Sequence, residues 1–306
     1  MRNVPRDRSK LSDLSGSLKV AIVSCKTPTT ESYLHIGSGK SLFEPIREFP
    51  REAVFSKLVD ILAQKLGLEV GDFARVKGLP TIPASSVKGN IRARLELSFR
   101  AVNGRVRACF IRASRLPPAG IFWRHKKIWS DVLNEDRGDA CDLTEADKVC
   151  LLCDLFGTAG LSSLISFEDC IGKDVKLKEI KVDGTRMLAA PPGSEFEGQI
   201  YFTNLLEEEL GLLLLGMGLK DSVRGRALLL GRLKYRGRVG SLLMGRVTYI
   251  VKSLQLSKYS RNIAGFDSRS FEGENELTPL IQSLTASTLG KFGVEFRVVD
   301  EVERFG

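Results

Sequence analysis

Cys141, Cys150, Cys153 and Cys170 crowd one stretch of a chain that has only six cysteines. Cys150 and Cys153 stand at C-x-x-C spacing, which lets two thiolates grip one tetrahedral zinc ion. Cys141 offers a third ligand, and His125, Cys109 or Cys170 a fourth. Four protein ligands would close the coordination shell and make such a metal structural rather than catalytic. Reduced, simply buried cysteines and thiol redox chemistry are the alternatives at this point. His35 is one of only two histidines, so histidine-rich hydrolase schemes find little material here. It can act as a general base on a ribose 2′-hydroxyl, or serve as a polar contact. Asp72 can hold a metal ion or orient a hydroxyl, or simply form a turn after Gly71.

A second set of residues points to phosphate. Gly37 to Ser41 read GSGKS, but Leu34 stands where a P-loop needs its first glycine, and Phe43-Glu44-Pro45 interrupts the helix that should follow. A glycine-rich turn whose N–H groups and Lys40 meet a phosphate backbone fits better. From Gly78 to Leu95 the chain reads GLPTIPASSVKGNIRARL. Ser85 and Ser86 are candidates to cap a helix starting near Val87, with Val87, Ile91 and Leu95 as its buried stripe and Lys88, Arg92 and Arg94 at its exposed edge. Free N–H groups at that start, beside cations and Gly89, suit a phosphate; an ordinary amphipathic helix is the plainer reading. Leu228 to Val247 interleaves Gly231, Gly237, Gly240 and Gly245 with Arg232, Lys234, Arg236 and Arg238. Such cations neutralise phosphates without reading bases, and Tyr235 can stack on one; an exposed basic hairpin is the alternative.

Bulk composition agrees with a polyanionic partner. The 306 residues are 43% hydrophobic and carry a formal charge of +9. Ser222 to Phe266 holds ten Lys or Arg and no acid, whereas Asp131 to Asp147 is acid-rich, so positive and negative surfaces are segregated. No apolar run approaches the roughly 18 residues of a membrane span, and the basic start lacks the apolar middle of a signal peptide. A cytoplasmic protein without disulfides is expected.

The elements that must position these residues are read from periodicity. Leu18, Val20 and Ile22 alternate as a strand leading to HIGSGK; residues 52 to 66 have helical spacing and end at Gly67. The helix after Pro83 follows, then an aperiodic insertion at about 101–150. Phe196 to Phe202 alternates as a strand, Leu205 to Leu219 is a Leu-rich helix, and Val247–Val251 and Val294–Val298 are further strands. Helices on a mainly antiparallel sheet, an α+β fold in one domain over 1–306, is the expectation.

A strand, LHIGSGK, IPASSVKGNIRARLE, CLLCDLFG, ISFEDC, PPGSEFEG and a late glycine-rich basic stretch follow one another in order. In this the chain resembles the RAMP superfamily of CRISPR-associated proteins, in particular the backbone subunits of type III effector complexes. The landmarks run from about residue 18 to 250, with Ala84 where the family usually has glycine. The resemblance implies a ferredoxin-like (RRM-type) core with insertions, and a thumb-like segment at about 172–190 that kinks a guide. It implies a subunit that binds CRISPR RNA, sits beside other CRISPR-associated subunits, self-associates along the guide and meets target RNA. Asp72 is the match for the family's target-cleaving aspartate, with a divalent metal as possible cofactor, and zinc at the C-x-x-C region also occurs in the family. His35, Lys40, Ser85, Ser86, Lys88, Arg92, Gly231, Arg232, Lys234, Arg236 and Arg238 are then the candidate RNA contacts, and Cys141, Cys150, Cys153 and His125 the candidate metal ligands. A His35-dependent endoribonuclease that matures the guide, and a nonspecific RNA-binding protein, are the alternatives.

Overall fold

The computed structural model of the chain describes residues 2–3, 13–27, 30–42, 70–103, 106–109, 127–129, 132, 141–145, 148–236, 238–239 and 242–305. In chain order come β1 (Leu14–Ser24), β2 (Ser32–Tyr33), β3 (Gly37–Leu42), β4 (Val70–Phe73), β5 (Arg75–Val76), β6 (Leu79–Ile82) and α1 (Ala84–Ser98). The middle holds α2 (Leu151–Phe156), β7 (Ile165–Phe167), β8 (Cys170–Ile171), β9 (Lys178–Val182), β10 (Thr185–Ala189), β11 (Glu195–Leu205) and α3 (Glu207–Gly216). The last third holds β12 (Leu228–Leu229), β13 (Arg238–Val239), β14 (Leu242–Met244), β15 (Arg246–Leu256), β16 (Ser270–Glu272), α4 (Gly273–Phe292) and α5 (Glu301–Phe305). The helix expected over 52–66 and most of the 101–150 insertion fall outside the described residues.

The main sheet runs β12-β15-β1-β11-β8-β6-β5, with β16 added to β15 and β7 to β11, and its neighbours are antiparallel. β1 sits at its centre because Leu18, Val20 and Ile22 alternate with Lys19, and the apolar face is fully buried. Among β1, α1, β7/β8, β11, α3 and β15, the chain order is strand, helix, strand, strand, helix, strand, and the strands lie in the order β15-β1-β11-β8. Val87, Ile91 and Leu95 of α1 join the same core as Phe196, Ile200 and Phe202 of β11 and the leucines of α3. Each such side chain contributes roughly 1.5–3 kcal/mol on burial. Helix α4 crosses α3 closely at Gly211, where a Cβ would lie 2.0 Å from Thr288 Oγ1.

A smaller sheet, β9-β10-β4-β3, stands apart from the main one, and β13-β14-β2 forms a third. In the small sheet β9 and β10 make a hairpin that turns at Asp183-Gly184 and fills much of the segment expected to be thumb-like. Among the described residues no helix is long and apolar enough to cross a membrane.

Several expectations change. His35 to Lys40 is not a turn: Gly37–Leu42 is a strand paired to β4, bulged between Gly37 and Ser41. The partner strand lies at the far end of a long connection, so local sequence carried no hint of the pairing. Asp72 is in strand β4 rather than a turn. Helix α1 begins at Ala84 with Pro83 as its cap residue, and neither serine caps it. Asp169 does so from across the chain, its Oδ1 accepting from the Ala84 N–H at 2.7 Å. Val294–Val298 is not a strand; Phe296 makes one isolated bridge to Phe99 and packs against it at 5.1 Å between ring centres. The 20-residue α4 just before it has Ser, Thr and an internal Pro279 diluting its apolar stripe, and the sequence reading passes over it.

Candidate nucleic-acid interface and metal centre

Helix α1 carries a site on each side. On one side, Cys109, Cys141, Cys150 and Cys153 are buried with their sulfurs all within 4.8 Å of one another. The local fold explains how. Cys150 caps α2, and its Sγ accepts from the Cys153 and Cys109 N–H groups at 3.4 Å each, while Cys141 Sγ accepts from the Cys150 N–H at 3.3 Å. The Cys109–Cys153 and Cys109–Cys150 sulfur separations are 3.4 and 3.7 Å. Four ligands 2.3 Å from a tetrahedral zinc would stand about 3.8 Å apart, so the set fits that geometry. Hydrogen bonding with the Cys109, Cys141 and Cys153 side chains holds the Cys150 sulfur well below the ordinary thiol range. The same contacts push Cys109, Cys141 and Cys153 up. A dication held here would displace those protons, and these four residues could hold a metal such as zinc.

Sequence spacing had named Cys141, Cys150 and Cys153, and left the fourth place open. Cys109 stands there. His125 lies outside the described residues, and Cys170 is elsewhere, in β8 against Gly198. Arg92 was placed at the exposed edge of α1 but is buried against this cluster. Its Nη2 donates to Cys153 Sγ at 3.1 Å, Nη1 to the Gly157 carbonyl at 2.6 Å, and Nε to Glu96 at 2.8 Å.

On the other side of α1 is a cleft of about 380 Å³. Its walls bring together stretches that are distant in sequence: Gly37 from HIGSGK, Ser86, Gly89 and Asn90 from α1, and Gly231, Arg232, Lys234 and Tyr235 from the acid-free segment, with Trp129 and Glu301 completing them. Gly231 makes the meeting possible. Its φ is +83°, and a Cβ there would lie 2.6 Å from the His35 carbonyl, which also accepts from the Arg232 N–H at 2.9 Å. Arg232 is exposed at the rim, and Lys234 is half-buried with its pKa pushed down by desolvation. Its ammonium lies 5.1 Å from the Tyr235 ring centre. Arg236 pairs with Asp183, tying the segment to the β9–β10 hairpin. Arg238 pairs through its backbone with Leu243.

Lys40, Ser85, Lys88, His35 and Asp72 do not line this cleft. Lys40 is exposed on β3 and Ser85 at the start of α1. Lys88 reaches Ser163 Oγ at 3.3 Å, and burial lowers its pKa. Arg94 is buried and paired with Glu301 at 2.7 Å, so it is not at an exposed edge either. His35 is fully buried; Nδ1 donates to the Leu188 carbonyl at 2.6 Å, which leaves Nε2 as an acceptor enclosed without a partner. Asp72 accepts from the Phe73 N–H at 2.8 Å and Ser38 Oγ at 3.4 Å, and sits 3.6 Å from Arg75. Its charge acts on His35.

The sequence model of the RAMP superfamily matches residues 28–262, which spans β2 through β15, the four cysteines and all of the cleft lining except Glu301. The chain belongs to the RAMP superfamily. No curated protein matches it. A solved structure to which this RAMP chain is similar is Csc2 from Thermofilum pendens, at 14% identity and a TM-score of 0.38, covering 100% of this chain and 84% of that one.

Proposed function

We propose that this RAMP protein is a CRISPR RNA-binding backbone subunit of a type III interference complex, acting in the cytoplasm beside other CRISPR-associated subunits and further copies of itself. The observation that carries the reading is the cleft, where Gly37, Ser86 and the Arg232–Lys234 stretch meet although far apart in sequence. Cations at such a groove hold a phosphate backbone without reading bases. The strand and helix order, with strands in the order β15-β1-β11-β8, supports a ferredoxin-like core. The β9–β10 hairpin, tied to the cleft by Arg236–Asp183 and His35–Leu188, supports a thumb-like role for the 172–190 segment.

Binding of single-stranded RNA measured from low to high salt tests this reading. Affinity should fall steeply, by about 0.7 in log–log slope per neutralised phosphate, with little base preference. Absent or salt-independent binding overturns it.

Asp72 is the residue we assign to target cleavage. Its carboxylate, held by the Phe73 N–H and Ser38, can favour attack by a 2′-hydroxyl directly or with a divalent metal. In the assembled complex, Asp72→Ala should abolish target cuts at this subunit and leave guide binding intact; unchanged cutting returns Asp72 to a structural role. Full burial of His35 speaks against the guide-maturing nuclease, since its free Nε2 has no surface.

A further inference from the structure

Strand β12 leads directly into the basic stretch, and its backbone pairs with β15 on one side. Its other side is held by side chains. The Leu229 N–H donates to Glu301 Oε1 at 2.9 Å, and the Leu229 carbonyl accepts from Asn90 Nδ2 at 2.8 Å. Arg94 closes the ring. It donates from Nε and Nη2 to the same Glu301 oxygen at 3.0 and 2.7 Å, from Nη2 to Asn90 Oδ1 at 3.0 Å, and from Nη1 to the Gly216 carbonyl at 2.6 Å. One carboxylate oxygen thus joins α1, β12 and α5 while Arg94 reaches the end of α3. Glu301 is 4% exposed and also lines the cleft. Its charge reaches Arg226, Lys234 and Arg246, each of which burial pushes toward neutrality, and favours their cationic forms.

The segment around Glu301 also packs where the RNA-binding role is organised. Val299 shares a cluster with Leu97, Trp129 and Leu229, with Tyr235 packed on it. Gly231 and Arg232 follow Leu229 within three residues.

We infer that Glu301 is a positioning residue of the RNA cleft: its carboxylate, set against Arg94 and the Leu229 N–H, fixes where the 231–236 stretch begins and so where its cations meet phosphate. The inference rests on the RNA-binding reading of the cleft. Without Glu301 the guanidinium of Arg94 is left buried without a carboxylate, and Leu229, two residues before the basic stretch, loses its anchor.

Two variants test it. Glu301→Gln keeps an acceptor but removes the charge. Arg94→Met combined with Glu301→Leu removes both charges, a replacement that buried ion pairs tolerate, and keeps the test valid if the first variant fails to fold. Two measurements are needed: the salt dependence of binding to a mixed-sequence single-stranded RNA, and the rate of trypsin cleavage after Arg232, Lys234 and Arg236. In the folded double variant we expect faster cleavage in that stretch and a slope shallower by about 1.4, equivalent to about two lost phosphate contacts. Adding Arg232→Ala to that variant should change the slope no further. A wild-type slope together with wild-type trypsin resistance overturns the inference. Wild-type protein that binds no RNA overturns the cleft reading instead, and the trypsin rates still decide whether Glu301 positions the stretch.

Discussion

Arg92 and Arg94 stand two residues apart on one helix, and they end in different sites. Two residues turn an α-helix by about 200°, so the side chains leave on opposite sides. Arg92 runs to Cys153 and Gly157 at the cysteine cluster, and Arg94 to Glu301 and Gly216 beneath the cleft. Each is neutralised by a carboxylate, Glu96 for Arg92 and Glu301 for Arg94. The two sites are nevertheless built on opposite terms. At the cluster every sulfur is buried and the N–H···S bonds fix the set from within a short stretch, with Cys109 alone arriving from farther away. At the cleft, cations such as Arg232 stay at the surface and the walls come from segments scattered along the chain. Buried charge on α1 is spent on holding parts together; the charge left for a polyanion lies on the glycine-rich stretch that α1 helps to anchor.

The largest effect should come from the cluster. The purified protein is expected to hold one zinc per chain by elemental analysis, and Cys150→Ser to lose it. Because the metal would tie α2 to Cys109 and Cys141, its loss should cost about 4 kcal/mol or more, a fall in Tm of order 10 °C. Metal-free protein with an unchanged melting curve would make these four residues ordinary core cysteines. The next effect separates the two sides of α1. Arg92→Gln should weaken zinc about 10- to 100-fold in competition with a chromogenic chelator, since it removes a donor to a ligand sulfur. The salt slope of RNA binding should stay at its wild-type value in that variant. A shallower slope would put Arg92 on the RNA after all.

How much of this could be read from the chain depends on how local each interaction is. The alternation of Leu18, Val20 and Ile22 and the four-residue spacing of Val87, Ile91 and Leu95 give β1 and the buried stripe of α1 directly, since both patterns repeat within a single element. Cys150 and Cys153 declare themselves by spacing. Cys109 does not: it is 41 residues from Cys150, and no paired cysteine beside it marks it as a ligand. Arg92 has Glu96 four residues on, a visible hint that it is paired, whereas the partner of Arg94 is 207 residues away. Asp169, which satisfies the start of α1, stands within the FEDC landmark, but nothing in its own neighbourhood says which N–H it meets. The cleft itself was legible only as three separate phosphate-like stretches. Their meeting depends on a positive φ at Gly231 and its packing on His35, which are tertiary facts.

A smaller effect sharpens the cleft side of the comparison. Arg232 and Lys40 are exposed and each should make at most one phosphate contact. Arg232→Ala or Lys40→Ala should therefore reduce the salt slope by about 0.7 and weaken binding a few-fold at low salt, uniformly across RNA sequences. A change that depends on base sequence would mean that the residue reads bases. If Arg232→Ala leaves the slope untouched, the rim is not where the backbone runs.

The smallest effect concerns His35, which stands between β2 and β3 and meets the hairpin through Leu188 and the basic stretch through the Arg232 N–H. Burial is the main cause that pushes its pKa below the ordinary 6.5, opposed by the Leu188 carbonyl and the Asp72 charge and reinforced by Arg232. The folded protein therefore favours neutral His35, with its proton on Nδ1 facing Leu188. The unfolded chain takes up a proton near pH 6.5 and the folded one only at lower pH, so in between the unfolded state binds more protons. Stability should accordingly be fully present above that value and decline as pH falls through it, by no more than about 1.4 kcal/mol per pH unit. Thermal melts between about pH 7.5 and about pH 5.5 keep clear of ordinary carboxylates, which titrate lower. The wild-type Tm should drop across that window, and His35→Gln, which cannot gain the charge, should flatten the dependence. His125→Gln, at the chain's other histidine, serves as the control and should leave the wild-type slope in place. Protonation would also put a second cation beside Arg232 and the His35–Leu188 contact, so trypsin cleavage after Arg232, taken relative to an unstructured peptide substrate at the same pH, should quicken over the same range. Parallel pH profiles for wild type and His35→Gln would mean that the enclosed Nε2 is reached by water and that the hairpin is held by other contacts.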